Sequence, residues 1–423
     1  MLDIKFIREN LKEVEKSLKK RGANFDLDEL LKLDEKKRKL QTELEGISAE
    51  KNKASKEITS AKTPAQKKKI IGGMQKIDKK ADKIKPELNK LEEEIRGLLY
   101  KIPNILAEDV PTGKDESENV VLKQVGKVPT FNFEVKDHVA LGEALGIIDL
   151  KTAAQVSGAR FVYLKGKLAL LQFALIQHTF DVLVKKGFIP VIPPVMIKPE
   201  IYEKMARLSE EDKNERYYFP QDDLYLIGSA EHTLGPLHID EILEEKNLPL
   251  RYVGYSTAFR REAGSYGKDT KGILRVHQFD KIEMESFTVK EDSLKEQDFI
   301  VGLQEELVKS LKIPYQVVMI CTGDMGKPDA RQIDIECWMP GQNKYRETHT
   351  SDMMTDYQAR RLNTRVKRLS GKTEFVHMND ATAFAIGRIL IAILENYQQK
   401  DGSVKIPKIL QKYLGFKEIK PKK

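Results

Sequence analysis

Between residues 40 and 98, apolar side chains recur in alternating steps of three and four. One series runs Leu40, Leu44, Ile47, Ala54 and Ile58, with Lys51 interrupting the seam. A second begins after Thr63-Pro64 and runs Ile70, Met74, Ile77, Ala81, Ile84, Leu88, Leu91, Ile95 and Leu98. A heptad seam of this kind needs a partner helix along its whole length, and Pro64 supplies the reversal between the two series. The pattern therefore predicts a long antiparallel helical hairpin. Helices of about 30 residues would reach roughly 45–50 Å at about 1.5 Å per residue. Gly72-Gly73 and Pro86 are expected to weaken or bend the second helix. Such an arm has little core of its own, so it either dimerises or reaches for a large ligand. The lysines along it, Lys51, Lys53, Lys56, Lys67, Lys68 and Lys69, favour a phosphate backbone as that ligand.

The pattern changes past residue 100. Pro103, Pro111, Gly113 and Pro129, separated by acidic and polar residues, read as a linker. From about residue 131, helical patterns alternate with β-rich runs at Leu250–Phe259, Gly272–Thr288, Tyr315–Cys321 and Gln332–Met339. The last of these alternates polar and apolar residues as a half-buried strand should. Short turns rather than regular helices separate the strands, which predicts an α+β domain built on an antiparallel sheet with flanking helices. The expected organisation is a helical arm over 1–105, a linker over 106–130 and a catalytic domain over 131–423. Neither a GxxxxGK[ST] loop nor a strand followed by GxGxxG is present, so a nucleotide site must be of another kind.

Composition refines the picture. The chain has 423 residues, 40% hydrophobic and 33% charged, with a formal net charge of +8. That basic balance points to a polyanionic partner, a nucleic acid or an anionic membrane surface. Cys321 and Cys337 lie in apolar, strand-like stretches and are expected to be buried thiols; no Cys/His cluster has the spacing of a structural zinc site. The first residues lack the apolar stretch of a signal peptide, and no run approaches the ~18 apolar residues of a membrane span. A cytoplasmic protein is expected.

Two constellations carry chemistry. Ser256-Thr-Ala-Phe-Arg-Arg-Glu-Ala-Gly264 and Gly272-Ile-Leu-Arg-Val-His-Gln-Phe-Asp-Lys-Ile-Glu283 are strand-like runs flanking a loop rich in Gly, Lys and Asp. Arg260 offers a planar fork for an α-phosphate or carboxylate, Glu262 can accept from an adenine amino group, and Phe279 can stack on the base. Near the C-terminus, Asn379-Asp-Ala-Thr-Ala-Phe-Ala-Ile-Gly-Arg388 opens an apolar helix with an arginine. A cation there opposes the helix dipole and is costly without an anion. These stretches resemble motifs 2 and 3 of the class II aminoacyl-tRNA synthetases. Gly187-Phe-Ile-Pro-Val-Ile-Pro-Pro-Val-Met196 resembles their motif 1, which builds the dimer interface in that family; its prolines exclude a central strand.

Further stretches narrow the resemblance to the serine-specific branch of that family, over essentially the whole chain. They are Val156-Ser-Gly-Ala-Arg-Phe-Val-Tyr-Leu-Lys-Gly166, Asp356-Tyr-Gln-Ala-Arg-Arg-Leu-Asn363, Leu394-Glu-Asn-Tyr-Gln398, the first helix MLDIKFIRENLKEVEKSLKKRG and the arm. The resemblance implies a homodimer that takes L-serine, ATP, Mg²⁺ and a serine tRNA, with a selenocysteine tRNA left open as a second acceptor. It implies a serine site at Ser229, Ala230, Glu231, Arg260, Glu283 and Thr382. It implies an ATP site at Arg260, Arg261, Glu262, Arg275, Val276, Phe279, Glu347, Thr348, His349, Thr350 and Arg388. Arg260, Arg388 and Glu347 would carry catalysis, and Glu347 would hold the Mg²⁺.

This chain departs from the family pattern in three places. Ser229 stands where Thr is usual. Thr348-His-Thr-Ser-Asp352-Met353 replaces a Ser/Cys/Asn-rich run, with His349 and Asp352 expected to form a local pair. Motif 3 carries one extra residue, which leaves the register of Thr382 open by one. The implied reaction is in-line attack of the serine carboxylate on the ATP α-phosphate, followed by transfer to the terminal adenosine of tRNA. No general base is needed, because a carboxylate is already ionised at neutral pH. Two alternatives stand beside it. A synthetase-like ligase that loads a carrier protein would not need the basic arm, and an inactive RNA-binding paralogue would not need Arg260, Glu262, Glu283, Glu347 and Arg388.

Overall fold

The computed structural model describes residues 1–263 and 271–421. The tip of the hairpin expected between Phe259 and Gly272 falls outside the described residues. The chain divides into two compact units, Met1–Pro103 and Asn104–Lys423.

The first unit is helical throughout. Two short helices, Ile4–Glu9 and Leu11–Lys20, precede the hairpin; Arg8 ties them to the long helices through Asp34 at 2.6 Å. The hairpin consists of α1 (Leu27–Ser60) and α2 (Pro64–Lys101). Asp26 caps α1 by accepting from the Glu29 amide at 3.0 Å. Thr63 caps α2 by accepting from the Gln66 amide, with Pro64 in the first turn, where its missing N–H costs nothing. Leu40, Leu44 and Ile47 pack against Ile77, Ala81 and Ile84. Lys36–Glu87 and Lys37–Glu92 pairs bridge the helices at 2.8 and 3.1 Å. α2 runs unbroken through Gly72-Gly73 and Pro86. Lys51, which interrupts the seam, pairs with Asp78. It is therefore engaged within the hairpin, whereas Lys53, Lys56, Lys67, Lys68 and Lys69 are exposed.

The second unit is built on an eight-stranded sheet. Its elements in chain order are β1 (Val120–Val125), α3 (Lys167–Lys185), β2 (Ile189–Val191), β3 (Leu250–Phe259) and β4 (Gln278–Thr288). There follow α4 (Ser293–Leu311), β5 (Tyr315–Met319), β6 (Arg331–Met339), β7 (Lys344–Thr355), β8 (His377–Ala385) and α5 (Ile386–Asn396). The strand order is β1-β5-β6-β7-β8-β4-β3-β2. Every pairing is antiparallel except that of β2, which lies parallel to β3.

The expected linker over 106–130 is corrected by this structure. β1 is an edge strand of the sheet, paired with β5, and the preceding segment is tied in by Ala107, whose amide donates to the Ala330 carbonyl at 2.9 Å. Pro and Gly here punctuate a path along the domain rather than free it. The Pro-bearing β2 sits at the opposite edge, where a missing N–H disrupts no ladder.

The sheet has two chemically different faces. Ile282, Met284, Ala381, Ala383, Ile333 and Ile335 join the apolar core with Leu303, Leu307, Ile389 and Leu390 from α4 and α5. The opposite face carries Lys281, Glu283 and Glu285 on β4, Asp380 and Thr382 on β8, and Thr350 and Asp352 on β7. Among the described residues, α3 is the one helix long and apolar enough by composition to cross a membrane. Its Leu168, Leu171, Leu175 and Leu183 are fully buried in this unit's core, while Leu170, Phe173 and Val184 are exposed. Cys321 and Cys337 are buried free thiols, and burial pushes the Cys337 thiol up to about 12.

Candidate active site

Register places the polar residues of the sheet side by side. Glu283 on β4 lies opposite Gly254 on β3 and Thr382 on β8, and Asp380 lies opposite Glu285 and Asp352. Direct antiparallel partners share a face, so these groups converge over the middle of the sheet. At Gly254 a Cβ would come 2.7 Å from the Leu234 side chain, so a larger residue there would require Leu234 to shift. The extra residue of motif 3 appears as a register shift: Ile282 pairs with Phe384 and Glu283 with Thr382, leaving Ala383 as a bulge. Thr382 donates to Glu283 Oε1 at 3.2 Å, which fixes it, rather than a neighbour, as the hydroxyl on this face.

A cavity of about 280 Å³ opens over these residues. Arg260, Glu262, Arg275, Val276, Phe279, Glu347, Thr348, Thr350 and Arg388 line it together with Glu231, Glu283 and Thr382. The two halves of the β3–β4 hairpin hold Arg260 over the Phe279 ring at 5.4 Å, and Arg260 Nε donates to the Gly228 carbonyl at 3.0 Å. Glu262 stands in a left-handed conformation at φ 51° and pairs with Arg275 at 3.2 Å. Arg388, in the first turn of α5, donates to the Glu347 carboxylate at 2.7 Å and to its carbonyl at 3.0 Å. The anion that this arginine requires is thus Glu347 itself. Burial opposes ionisation of Glu347, but Arg388, Arg260 and Lys281 outweigh it and hold the carboxyl below its usual range.

Ser229, Ala230, Arg261 and His349, all expected in the site, do not line the cavity. Ser229 and Ala230 are fully buried behind it, and Ser229 Oγ accepts from the Lys281 ammonium at 2.9 Å. Arg261 turns away to the Arg216 carbonyl at 2.8 Å and stacks on Tyr217. His349 falls on the apolar face by strand alternation, against Phe384, with Nδ1 at 2.8 Å from Thr348 Oγ1; burial drives it down to about 3. The expected His349–Asp352 pair does not form, because the two residues lie on opposite faces and Asp352 meets Arg207 at 3.4 Å.

Several residues of the site were not anticipated from sequence. Lys281 bridges Glu283 at 2.9 Å and approaches Glu231 at 3.9 Å. Its position two residues before Glu283 on one strand was the available signal. His232 accepts at Nδ1 from the Gly228 amide at 3.2 Å and faces Glu231 through Nε2 at 3.3 Å. That is the arrangement of a neutral ring, and burial holds it down to about 4. Arg207, Arg216, Asp352 and Asp380 also line the cavity. Burial pushes Glu283 up to about 8, with Lys281 opposing. Glu231, equally buried, is held well below its usual range by Lys281 and His232. The two carboxyls therefore differ in charge at neutral pH.

The signature stretches beyond the cavity act as scaffold. The Glu395 carboxylate accepts from the His138 amide at 3.0 Å and from the Gly341 amide at 2.9 Å. Gln358 and Arg361 donate to the carbonyls of Met205 and Glu203 at 2.9 and 3.0 Å. Arg160 Nη1 donates to the Glu262 carbonyl at 3.1 Å.

An antiparallel sheet with a polar cavity, framed by an FRxE hairpin and by a helix that opens on Gly-Arg, defines a class II aminoacyl-tRNA synthetase. Residues 216–397 match the family description "tRNA synthetase class II core domain (G, H, P, S and T)", and residues 1–106 match "Seryl-tRNA synthetase N-terminal domain". The serine–tRNA ligase of Dictyoglomus turgidum is 42% identical over 100% of both chains. The crystal structure of the seryl-tRNA synthetase from Pyrococcus horikoshii complexed with ATP superposes with a TM-score of 0.91 at 42% identity, covering 100% of both chains. The cytoplasmic serine–tRNA ligase from Naegleria fowleri in complex with AMP gives a TM-score of 0.88 at 34% identity, covering 100% of this chain and 99% of that one. The chain belongs to the seryl-tRNA synthetase family, ATP-dependent ligases that activate serine and join it to tRNA.

Proposed function

We propose that the cavity over β4 and β8 activates L-serine with ATP and then passes it to a serine tRNA. The assignment of roles rests on one observation: two arginines, an aromatic ring and a set of carboxylates line a single cavity. Phe279 offers a face to adenine and Glu262 an acceptor for its amino group. Arg260 takes the α-phosphate and the serine carboxylate, and Arg388 takes the far phosphates, exchanging its Glu347 partner for them. The ionised Glu231 holds the serine ammonium. Glu283, neutral as the ligand-free site sets it, bonds the hydroxyl together with Thr382.

Attack by the serine carboxylate forms the new P–O bond, and pyrophosphate leaves. Proton transfer is not required, so the chain's contribution is orientation and charge stabilisation. Among the described residues, no three carboxylate, histidine or cysteine groups converge on a preformed metal site. Glu347 has about half of its side chain open to solvent, and its charge helps push the neighbouring Asp334 well above the usual range after burial. This hard-oxygen surrounding fits Mg²⁺, which is held by one or two carboxylates plus substrate phosphates and water. Glu347 would hold it, and the ion would neutralise phosphate charge.

The exposed lysines of α1 and α2 are the proposed contacts to the tRNA backbone. A homodimer in the cytoplasm is the proposed assembly. Its interface is supported by the exposed apolar side chains Phe173 on α3, Ile189 on β2 and Ile192 beside it. The test is ATP–pyrophosphate exchange with serine, alanine, threonine and glycine. Serine alone should support rapid exchange, with alanine slower by roughly 10⁴-fold, because it leaves buried polar groups unpaired. Equal rates with serine and alanine would refute the serine site.

A further inference from the structure

Beyond the serine site the same cavity is also lined by Arg207, Asp352 and Asp380. Six carboxyls, Glu231, Glu283, Glu285, Asp329, Asp352 and Asp380, are buried in and around it. The cations among them are Lys281, committed to Glu283 and Ser229, and Arg207. Arg207 stands 3.5, 3.4 and 3.7 Å from Asp329, Asp352 and Asp380, so one guanidinium is shared loosely by three acids. Oxygens of Glu283, Asp352 and Asp380 lack a hydrogen-bond donor, and all three residues line the cavity. Both oxygens of Glu285, directly opposite Asp380, are likewise without a donor. Buried carboxylates without donors are costly, and a hydroxyl amino acid satisfies Glu283 at most.

The geometry selects the kind of cation that would satisfy the others. Among the described residues no cluster of metal-ligating groups exists, so a cation that donates N–H bonds fits better than a bare metal ion. Asp380 lies two residues before Thr382 on the same face of β8, about 6.6 Å along the strand. With the α-ammonium on Glu231, a side-chain group one bond beyond the β-carbon, or one methylene further, would lie between Glu283 and Asp380, which share this face and line the cavity.

We infer that the amino-acid pocket accepts, besides serine, small amino acids whose side chain ends in an ammonium group, held by Asp380 and Thr382, with Glu283 releasing its proton as the cation binds. The inference rests on the serine reading of this site. Activation follows the same bond changes: the α-carboxylate forms the P–O bond to the α-phosphorus and pyrophosphate leaves, while the side-chain nitrogen takes no part.

The test is ATP–pyrophosphate exchange by the full chain with serine, 2,3-diaminopropionate, 2,4-diaminobutyrate and 2-aminobutyrate, the last being the uncharged isostere of the first. At least one diamino acid should exceed 2-aminobutyrate by 100-fold or more in kcat/KM. Asp380→Asn should lower the ratio of diamino acid to serine at least tenfold, and Asp352→Asn should lower it in the same direction should the first variant not fold. Exchange with serine but with neither diamino acid above 2-aminobutyrate overturns the inference alone. Absence of exchange with serine as well overturns the serine reading and the inference with it.

Discussion

Thr382 and Glu283 show how one pair of side chains can carry selection. The threonine hydroxyl donates to Glu283, and the carboxyl, raised to about 8 by burial, keeps a proton with which to bond the substrate hydroxyl. Thr382→Val keeps the shape and removes that donor. Serine exchange should fall about tenfold, the worth of one hydrogen bond of ~1.4 kcal/mol, while exchange with alanine should hardly change. A variant that loses both equally would make Thr382 a packing residue. Chemistry at single positions was legible in the sequence where a residue type was out of place, as with Arg388 opening a helix. It was illegible where face decided the outcome. His349 reads as a polar neighbour of Glu347, yet alternation along β7 turns it into the core. Arg261 sits beside Arg260 but lies past the end of β3, where its guanidinium is drawn to the Arg216 carbonyl. Arg207 and Lys281 went unnoticed because a buried cation is identified by its partners, and those partners come from β4, β7 and β8.

The elements themselves follow from pattern. The heptad seam yielded α1 and α2, with Thr63-Pro64 at the turn, and Leu250–Phe259 is a strand over the very residues that its apolar run marks. β1 could not be read, because its six residues are mostly exposed and owe their strand to the β5 edge that they cover. The helical hairpin carries its own prediction. Lys67, Lys68 and Lys69 lie in the first turns of α2 and are exposed, so replacing all three by alanine should spare folding and serine-dependent exchange. Their loss should weaken tRNA binding and reduce the slope of log affinity against log salt by about 2, since each phosphate contact contributes about 0.7–0.9. An unchanged slope, measured by filter binding across about 50–200 mM salt, would remove these lysines from the interface.

Taken as a whole, the molecule buries acid where it binds substrate, and its stability should register this. Glu283 ionises at about 8 in the folded chain against about 4.3 in an unfolded one. The folded state therefore holds more protons between those values, and stability falls as pH rises through them. Its contribution is complete below about pH 4 and gone above about pH 8. Asp380, raised to about 7, acts in the same direction. Glu283→Gln should make the fall between pH 5 and 8 shallower by up to ~1.4 kcal/mol per pH unit, read from denaturant midpoints of the two proteins at matched pH. Identical slopes would mean that Glu283 is ionised in the free enzyme.

The central claim is that Arg388 leaves Glu347 to grip the nucleotide. Serine-dependent ATP–pyrophosphate exchange by Arg388→Ala, beside the unaltered chain at saturating serine, tests it most directly. The geometry predicts a loss of roughly 10²–10³ in rate, the usual consequence of removing one preorganised charge from a developing transition state, with the folded circular dichroism spectrum retained. Exchange at the unaltered rate would show that Arg388 serves only to anchor Glu347.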